Sequence, residues 1–186
     1  MKKIAIALCL LLPLWCAAQD YDFAKKIGDN TLYFSILTTG GKNGATVEVA
    51  FPGTEERPWK GFTKPSGQLS IPEMVTPDRA RGKNADPEDD DTTIYTVVSV
   101  RYNAFQGCDR ITKLILPPTI RQVEDNAFAG CKKINYIVVE AQEPPKMDES
   151  AFESVDLDIP LRVPAGTYEK YKEAVGWRMF REIVEY

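Results

Sequence analysis

The phrase Asn103-Ala104-Phe105-Gln106-Gly107-Cys108 returns as Asn126-Ala127-Phe128-Ala129-Gly130-Cys131, and Ser150-Ala151-Phe152 follows as a weaker third copy. The Ala-Phe pairs lie 23 and then 24 residues apart. At that period a chain stacks one supersecondary unit on the next, because a single unit cannot bury its own apolar face. This spacing constrains architecture more firmly than any single residue.

The correspondence extends beyond the phrase. Ile111, Leu114 and Leu116 of one copy match Ile134, Ile137 and Val139 of the next, and Val97 and Val100 match Ile120 and Val123. Each period therefore holds a hydrophobic pair, the Ala-Phe turn of small residues with Cys, and an alternating segment. Alternation implies a strand with one buried face. Lys113–Pro117, Tyr136–Glu140 and Pro160–Pro164 are three such strands, and Gln68–Pro72 reads as an earlier, isolated copy. Stacked in register, the equivalent Phe residues form a column.

The set Ala-Phe-x-x-Cys, then Ile or Leu, then an Ile-x-Leu-Pro or Val-x-Val strand, resembles the BspA-like leucine-rich repeats of bacterial surface proteins. The run Val163-Pro164-Ala165-Gly166-Thr167-Tyr168, with Tyr171, Gly176-Trp177, Phe180 and Ile183, is similar to the closing segment of that family. The resemblance spans about residues 69–186 with an insertion. It implies a right-handed solenoid with short parallel strands, and roles in surface adhesion and protein binding. The full repeats are few and the third lacks Cys, which argues against a long extended binding surface.

The expected fold is thus a leucine-rich-repeat solenoid, β-rich within the α/β class. Residues 1–18 read as a signal peptide: Lys2 and Lys3 supply the charge, Ile4 to Trp15 an apolar core too short to span a bilayer, and Cys16-Ala17-Ala18 a cleavage site before Gln19. Acylation of Cys16 is the rival reading, opposed by the bulk of Trp15. No other apolar run is long enough for a transmembrane helix. Residues 19–68 form an N-terminal cap, with strand Thr31–Leu37, a turn at Gly40–Gly44, alternating Val47, Val49 and Phe51, and the loop Pro52–Gly67. Residues 69–164 are the solenoid with an acidic insertion at 76–93, and 165–186 a C-terminal cap. There Thr167 caps a helix with Tyr168, Tyr171 and Val175 on one face, Gly176 ends it, and Trp177 and Phe180 fold over the last coil.

Composition removes several chemistries. The chain has no histidine, which excludes Ser-His-Asp triads, Cys-His dyads and histidine-containing zinc sites. No phosphate-cradling glycine loop follows a strand. Net charge is −4, and −6 once Lys2 and Lys3 leave, which argues against nucleic acid and anionic lipid. Asp86-Pro87-Glu88-Asp89-Asp90-Asp91 lacks the glycine-spaced pattern of a calcium loop and reads as a solvated acidic loop. Cys108 and Cys131 occupy equivalent places in consecutive coils. Their separation suits a disulfide but their parallel side chains do not, so buried thiols are the favoured reading. No catalytic residue, cofactor or metal is expected.

What remains is a surface. Leu114, Leu116, Ile137, Val139, Leu161 and Val163 point inward, so Lys113, Ile115, Tyr136, Val138 and Arg162 point outward, with Gln68 and Ser70 behind them. An apolar and aromatic centre flanked by two cations suits protein recognition, and the competing reading is that Ile and Val are simply good strand residues. Trp59 and Phe62 are a second candidate, read more readily as a clamp of their loop onto the hairpin. The expected function is an exported, non-catalytic protein-binding module engaged in cell-surface adhesion. A structural subunit of an envelope complex, and carbohydrate binding through Trp59, Trp177 or Tyr136, are the alternatives.

Overall fold

The computed structural model describes residues 21–40, 44–77 and 93–186. The expected leader at 1–18, Cys16 and the acidic cluster Asp86–Asp91 lie outside the described residues. The chain is β-rich, with parallel strands and little helix. Strands β1 (Phe23–Ile27), β2 (Asn30–Thr39) and β3 (Ala45–Ala50) come first, then β4 (Ser66–Ser70) and β5 (Met74–Val75). The repeats supply β6 (Tyr95–Val100), β7 (Arg110–Leu116), β8 (Gln122–Val123), β9 (Tyr136–Val139), β10 (Lys146–Met147) and β11 (Pro160–Val163). Helix α1 (Tyr168–Glu173), a 3-10 turn at Trp177–Met179 and β12 (Glu182–Glu185) complete the order.

These strands make two sheets. One runs β1-β2-β3-β6-β8-β10 with β5 beside β6, and the other runs β12-β11-β9-β7-β4. From β6 to β11 the chain visits the two sheets alternately, so each repeat gives one strand to each. The equivalences drawn from sequence are spatial neighbours: Val100 pairs Val123, Leu114 pairs Ile137 and Leu116 pairs Val139, all between parallel strands. The second residue of each hydrophobic pair ahead of an Ala-Phe phrase lies in a strand, and the extension of the expected hairpin's sheet through these strands was not anticipated. The two residues each of β8 and β10 carry too little alternation to register as a strand.

Between the two strands of a repeat lies the Ala-Phe turn, and the turns bond to one another. Phe105 N–H donates to Ala127 O at 2.7 Å, Gly107 N–H to Ala129 O at 2.8 Å, Phe128 N–H to Ala151 O at 2.8 Å, and Gly130 N–H to Glu153 O at 2.8 Å. The Ala-Phe pairs of these turns are buried, so their backbone groups must find partners within the protein, and the next coil supplies them. The tight bend needs positive φ at its end. Gly107 (68°) and Gly130 (73°) provide it, whereas Ser154 takes the same place in the third coil at 62°.

The aromatic column is present and longer than the repeats alone suggest. Phe105 and Phe128 stack at 5.3 Å and 8° between ring planes, and Phe128 and Phe152 at 5.1 Å and 15°. Trp59 continues it at one end, 6.3 Å from Phe105, and Trp177 and Phe180 meet Phe152 at the other, at 6.3 and 5.4 Å. Segment β3–Trp59–β4 therefore runs like a coil, with Trp59 in the place of Phe. Both indoles satisfy their N–H within the protein: Trp59 Nε1 donates to Ala104 O at 3.0 Å, and Trp177 Nε1 to Pro145 O at 2.7 Å. The edge of β4 is closed by Asn30, whose side chain donates to the carbonyls of Ser66 and Gln68 and accepts from Ser66 N–H. A bare edge would otherwise template pairing with another chain.

The C-terminal expectations need correction. Thr167 does not cap α1 through its side chain; its hydroxyl donates to Pro164 O at 2.6 Å, and the Tyr168 N–H is taken by the Glu185 carboxylate at 2.8 Å. The helix stops at Glu173, so of the three residues assigned to one face only Tyr171 is buried, while Tyr168 and Val175 are exposed. Gly176 precedes the 3-10 turn rather than ending the helix. It lacks room for a Cβ, which would stand 3.1 Å from Met147 O. Residues 182–185, expected only as part of a closing segment, form β12 in parallel with β11.

Cys108 and Cys131 are free, fully buried thiols. Cys131 donates to Phe105 O at 3.2 Å. Burial pushes both thiols up, Cys131 to about 12, with the neighbouring Cys131 adding to the effect on Cys108. In the third coil Val155 stands where a Cys would be.

Three outcomes test this packing. Phe128→Ala removes the middle ring and leaves a cavity between two others, so it lowers stability by roughly 3–5 kcal/mol, read from denaturant unfolding. Ser154→Gly relieves a left-handed backbone and raises stability by about 1 kcal/mol, or about 2–4 °C in a thermal melt. The folded protein at pH 8 resists thiol alkylation at Cys108 and Cys131 and becomes reactive on unfolding. Because the folded thiols stay protonated while unfolded thiols ionise near about pH 8.5, stability falls as pH rises above that value.

Candidate functional site

The second sheet presents one face to the core and one outward. Leu114, Leu116, Ile137, Val139, Leu161 and Val163 are fully buried. The alternate residues Lys113, Ile115, Tyr136, Val138 and Arg162 are half-buried. Parallel pairing fixes their order. Ser70, Ile115, Val138, Arg162 and Val184 form one cross-strand row. Lys113 pairs Tyr136 in the adjacent row, behind which lies Gln68. All five residues singled out from the sequence thus share one surface, and Gln68 and Ser70 stand at its β4 border.

Their side chains interlock across four strands. Lys113 Nζ lies 4.9 Å from the Tyr136 ring centre, and the Arg162 guanidinium 5.9 Å from the same ring. Arg162 Nη1 donates to Tyr136 Oη at 2.7 Å, and its guanidinium stands 5.4 Å from the Tyr186 ring. The order across the sheet is therefore cation, ring, cation, ring. Each cation–ring contact contributes about 0.5–1 kcal/mol at an exposed site, and together they hold long side chains in place. Burial pushes the Tyr186 hydroxyl up, with Glu140 adding to the rise and Arg162 opposing it.

Val184 and Tyr186 belong to this face and were missed from the sequence. Both are exposed, at 36% and 50%. Their signal is weak because only one inward position of the strand, Ile183, is apolar, the next being Glu185. The strand forms because β11 offers an edge and Ile183 pairs with Leu161 over the core.

The other aromatic candidates are core residues. Trp59 is buried and meets Tyr33 at 5.9 Å; Phe62, half-buried, meets the same ring at 5.8 Å. This is the clamp of loop onto hairpin. Trp177 is fully buried. Neither indole is available as a sugar platform, so carbohydrate binding through Trp59 or Trp177 is ruled out.

The first sheet carries a groove of about 490 Å³, lined by Tyr102, Gln122, Glu124, Asp125, Lys146 and Asp148 among others. Ser150 donates to Asp148 from both hydroxyl and backbone, which lowers the carboxyl below its ordinary value. Glu124 accepts from Tyr102 N–H at 3.0 Å. No motif announced this groove, since carboxylates are common along the chain. Among the described residues no three His, Cys, Asp or Glu side chains are arranged to hold a metal ion, and no helix is long and apolar enough to cross a membrane.

The chain can now be set beside known proteins. Residues 92–163 match the family model "BspA type Leucine rich repeat region", in 6 copies. Among curated proteins none matches the chain. Among solved structures, a leucine-rich repeat protein from Bacteroides ovatus is 23% identical, over 78% of this chain and 36% of that one, with a TM-score of 0.43. A leucine-rich repeat protein from Bacteroides capillosus is 15% identical, over 89% and 99% of the two chains, with a TM-score of 0.47. The pneumococcal vaccine antigen PcpA is 15% identical, over 89% of this chain and 38% of that one, with a TM-score of 0.43. This chain spans only 36% of the length of the Bacteroides ovatus protein. Its repeat region, from β6 to β11 with the Ala-Phe turns between, belongs to the BspA type leucine-rich repeat family.

Proposed function

We propose that this chain is an exported, non-catalytic protein-binding module, and that its partner docks on the outward face of the second sheet. The observation that carries the reading is the continuous patch in which Ile115, Val138 and Val184 adjoin Tyr136, Arg162 and Tyr186. Apolar residues, two tyrosines and an arginine on ordered strands are the ingredients of a binding hot spot. Membership of the repeat region in a leucine-rich repeat family supports a protein partner.

The accompanying organisation is a short solenoid at 69–164, interrupted by the insertion at 76–93. The segment at 19–68 closes one end and 165–186 the other. The burial of Trp59 and Trp177 at the two ends of the aromatic column supports closure, since an open repeat end exposes its core. Residues 1–18 direct the chain out of the cytoplasm, and adhesion at the cell surface is the form of binding favoured.

The test uses the full chain, immobilised and panned against displayed surface-protein fragments and random peptides. Clones selected on the wild type are re-bound to Tyr136→Ala and Ile115→Glu. Capture weakens roughly 30-fold on Tyr136→Ala, the scale of a hot-spot residue near 2 kcal/mol, and falls likewise on Ile115→Glu, while both melts stay close to wild type. Undiminished capture by both variants would place the site elsewhere.

A further inference from the structure

Among the described residues, three arginines and one lysine pair with a carboxylate. Arg101 pairs with Glu48, Lys170 with Glu143, Arg178 with Glu149 and Arg181 with Asp158. Lys113 and Arg162 are held by rings instead. Among the described residues neither forms an ion pair; their neighbours are the rings of Tyr136 and Tyr186. An aromatic ring holds a cation in place but fills none of its hydrogen-bond donors. Lysine keeps three N–H donors and arginine five. Arg162 gives one to Tyr136 Oη, and its Nε is buried without an acceptor.

The stack therefore offers two fixed positive charges with unfilled donors, next to the apolar pair Ile115 and Val138, with Val184 on the far side of Arg162. On a chain of net charge −4 this is a local exception. Glu140, just past β9, and Glu182 on the outer strand are exposed, and among the described residues neither forms an ion pair with Lys113 or Arg162. Covering Lys113 and Arg162 with an apolar or basic segment would remove water from charged groups without replacing it, which is costly. A carboxylate replaces that water with charge-assisted hydrogen bonds.

We propose that the segment bound by this face is acidic: it presents Asp or Glu carboxylates to Lys113 and Arg162 beside an apolar side chain that covers Ile115 and Val138. This rests on the binding role assigned to the face above. The occupant is a protein segment rather than a sulfated glycan, because Ile115 and Val138 flank the cations with apolar surface that a polysaccharide would leave uncovered.

Random peptides displayed on phage are panned on the full chain, and the clones lost on Ile115→Glu are sequenced as the face-dependent set. Their Asp and Glu content is expected to exceed that of the starting library, and capture is expected to fall roughly tenfold on Lys113→Gln and again on Arg162→Gln, about one charge-assisted contact each. Panning on the double variant Lys113→Glu, Arg162→Glu is expected to select Lys- and Arg-containing peptides instead. Should Arg162→Gln fail to fold, Lys113→Gln decides alone, since its ammonium touches a single, half-buried ring. Face-dependent clones with no acidic excess, or with capture unchanged by Lys113→Gln, would overturn the proposal while leaving the binding role intact. Failure of every clone to depend on Ile115 would overturn both. Binding of dextran sulfate with no acidic peptide selected would overturn the protein-segment assignment.

Discussion

Trp59, Phe105, Phe128, Phe152 and the Trp177–Phe180 pair form one run of touching rings from the first described coil to the last. Each ring is buried by its neighbours above and below, so none is stable on a surface that lacks the next coil. Burying each contributes about 1.5–3 kcal/mol, but only if adjacent coils keep a common register. The turn hydrogen bonds enforce that register, because the same backbone that places Phe105 also donates to Ala127. Column and turn ladder are thus two expressions of one constraint: every coil must sit over the next with its Ala-Phe turn aligned. The sheets follow, since aligned turns bring Leu114 opposite Ile137 on one side and Val100 opposite Val123 on the other.

The repeat made this part of the fold legible. Inward positions on β7, β9 and β11 could be named from alternation alone, and so could the outward five, because a two-residue period leaves no third choice. The buried thiols were legible for the same reason, as equivalent members of stacked coils. What escaped were elements whose residues serve tertiary neighbours rather than a local pattern. Trp59 enters the column from a Gly- and Pro-rich loop that has no repeat spacing. Strand β12 forms because β11 leaves an edge to pair with, although of its inward positions only Ile183 is apolar. Helix α1 is shorter than its residue pattern suggests, since the chain must turn at Ala174 and Gly176 to bring Trp177 under Pro145.

The candidate site was half legible. Lys113, Tyr136 and Arg162 could be assigned to one face, but their interleaving could not. Stacking a cation between two rings depends on side-chain reach across diagonals of the sheet, which register alone does not specify. Nor could Tyr186 be placed, because it joins the stack only through β12. The degenerate third coil shows the opposite behaviour: Ser154 and Val155 replace Gly and Cys, yet the turn keeps its course. Register imposed from the coils on either side outweighs the local cost of a left-handed serine.

A face built this way is suited to binding with little rearrangement. Its strands are fixed by parallel ladders on both flanks, and its long side chains are already ordered against each other before a partner arrives. Ordering a rotamer-rich side chain on binding typically costs about 0.5–1.5 kcal/mol, and here Lys113 and Arg162 have met that cost in the free protein. The rings that order them also leave their charges uncompensated, so the face is prepared in geometry and incomplete in electrostatics. That combination favours selectivity by charge over selectivity by shape. A flat sheet of half-buried Ile and Val discriminates poorly among apolar segments, whereas two fixed cations with unfilled donors penalise any segment that brings no anion.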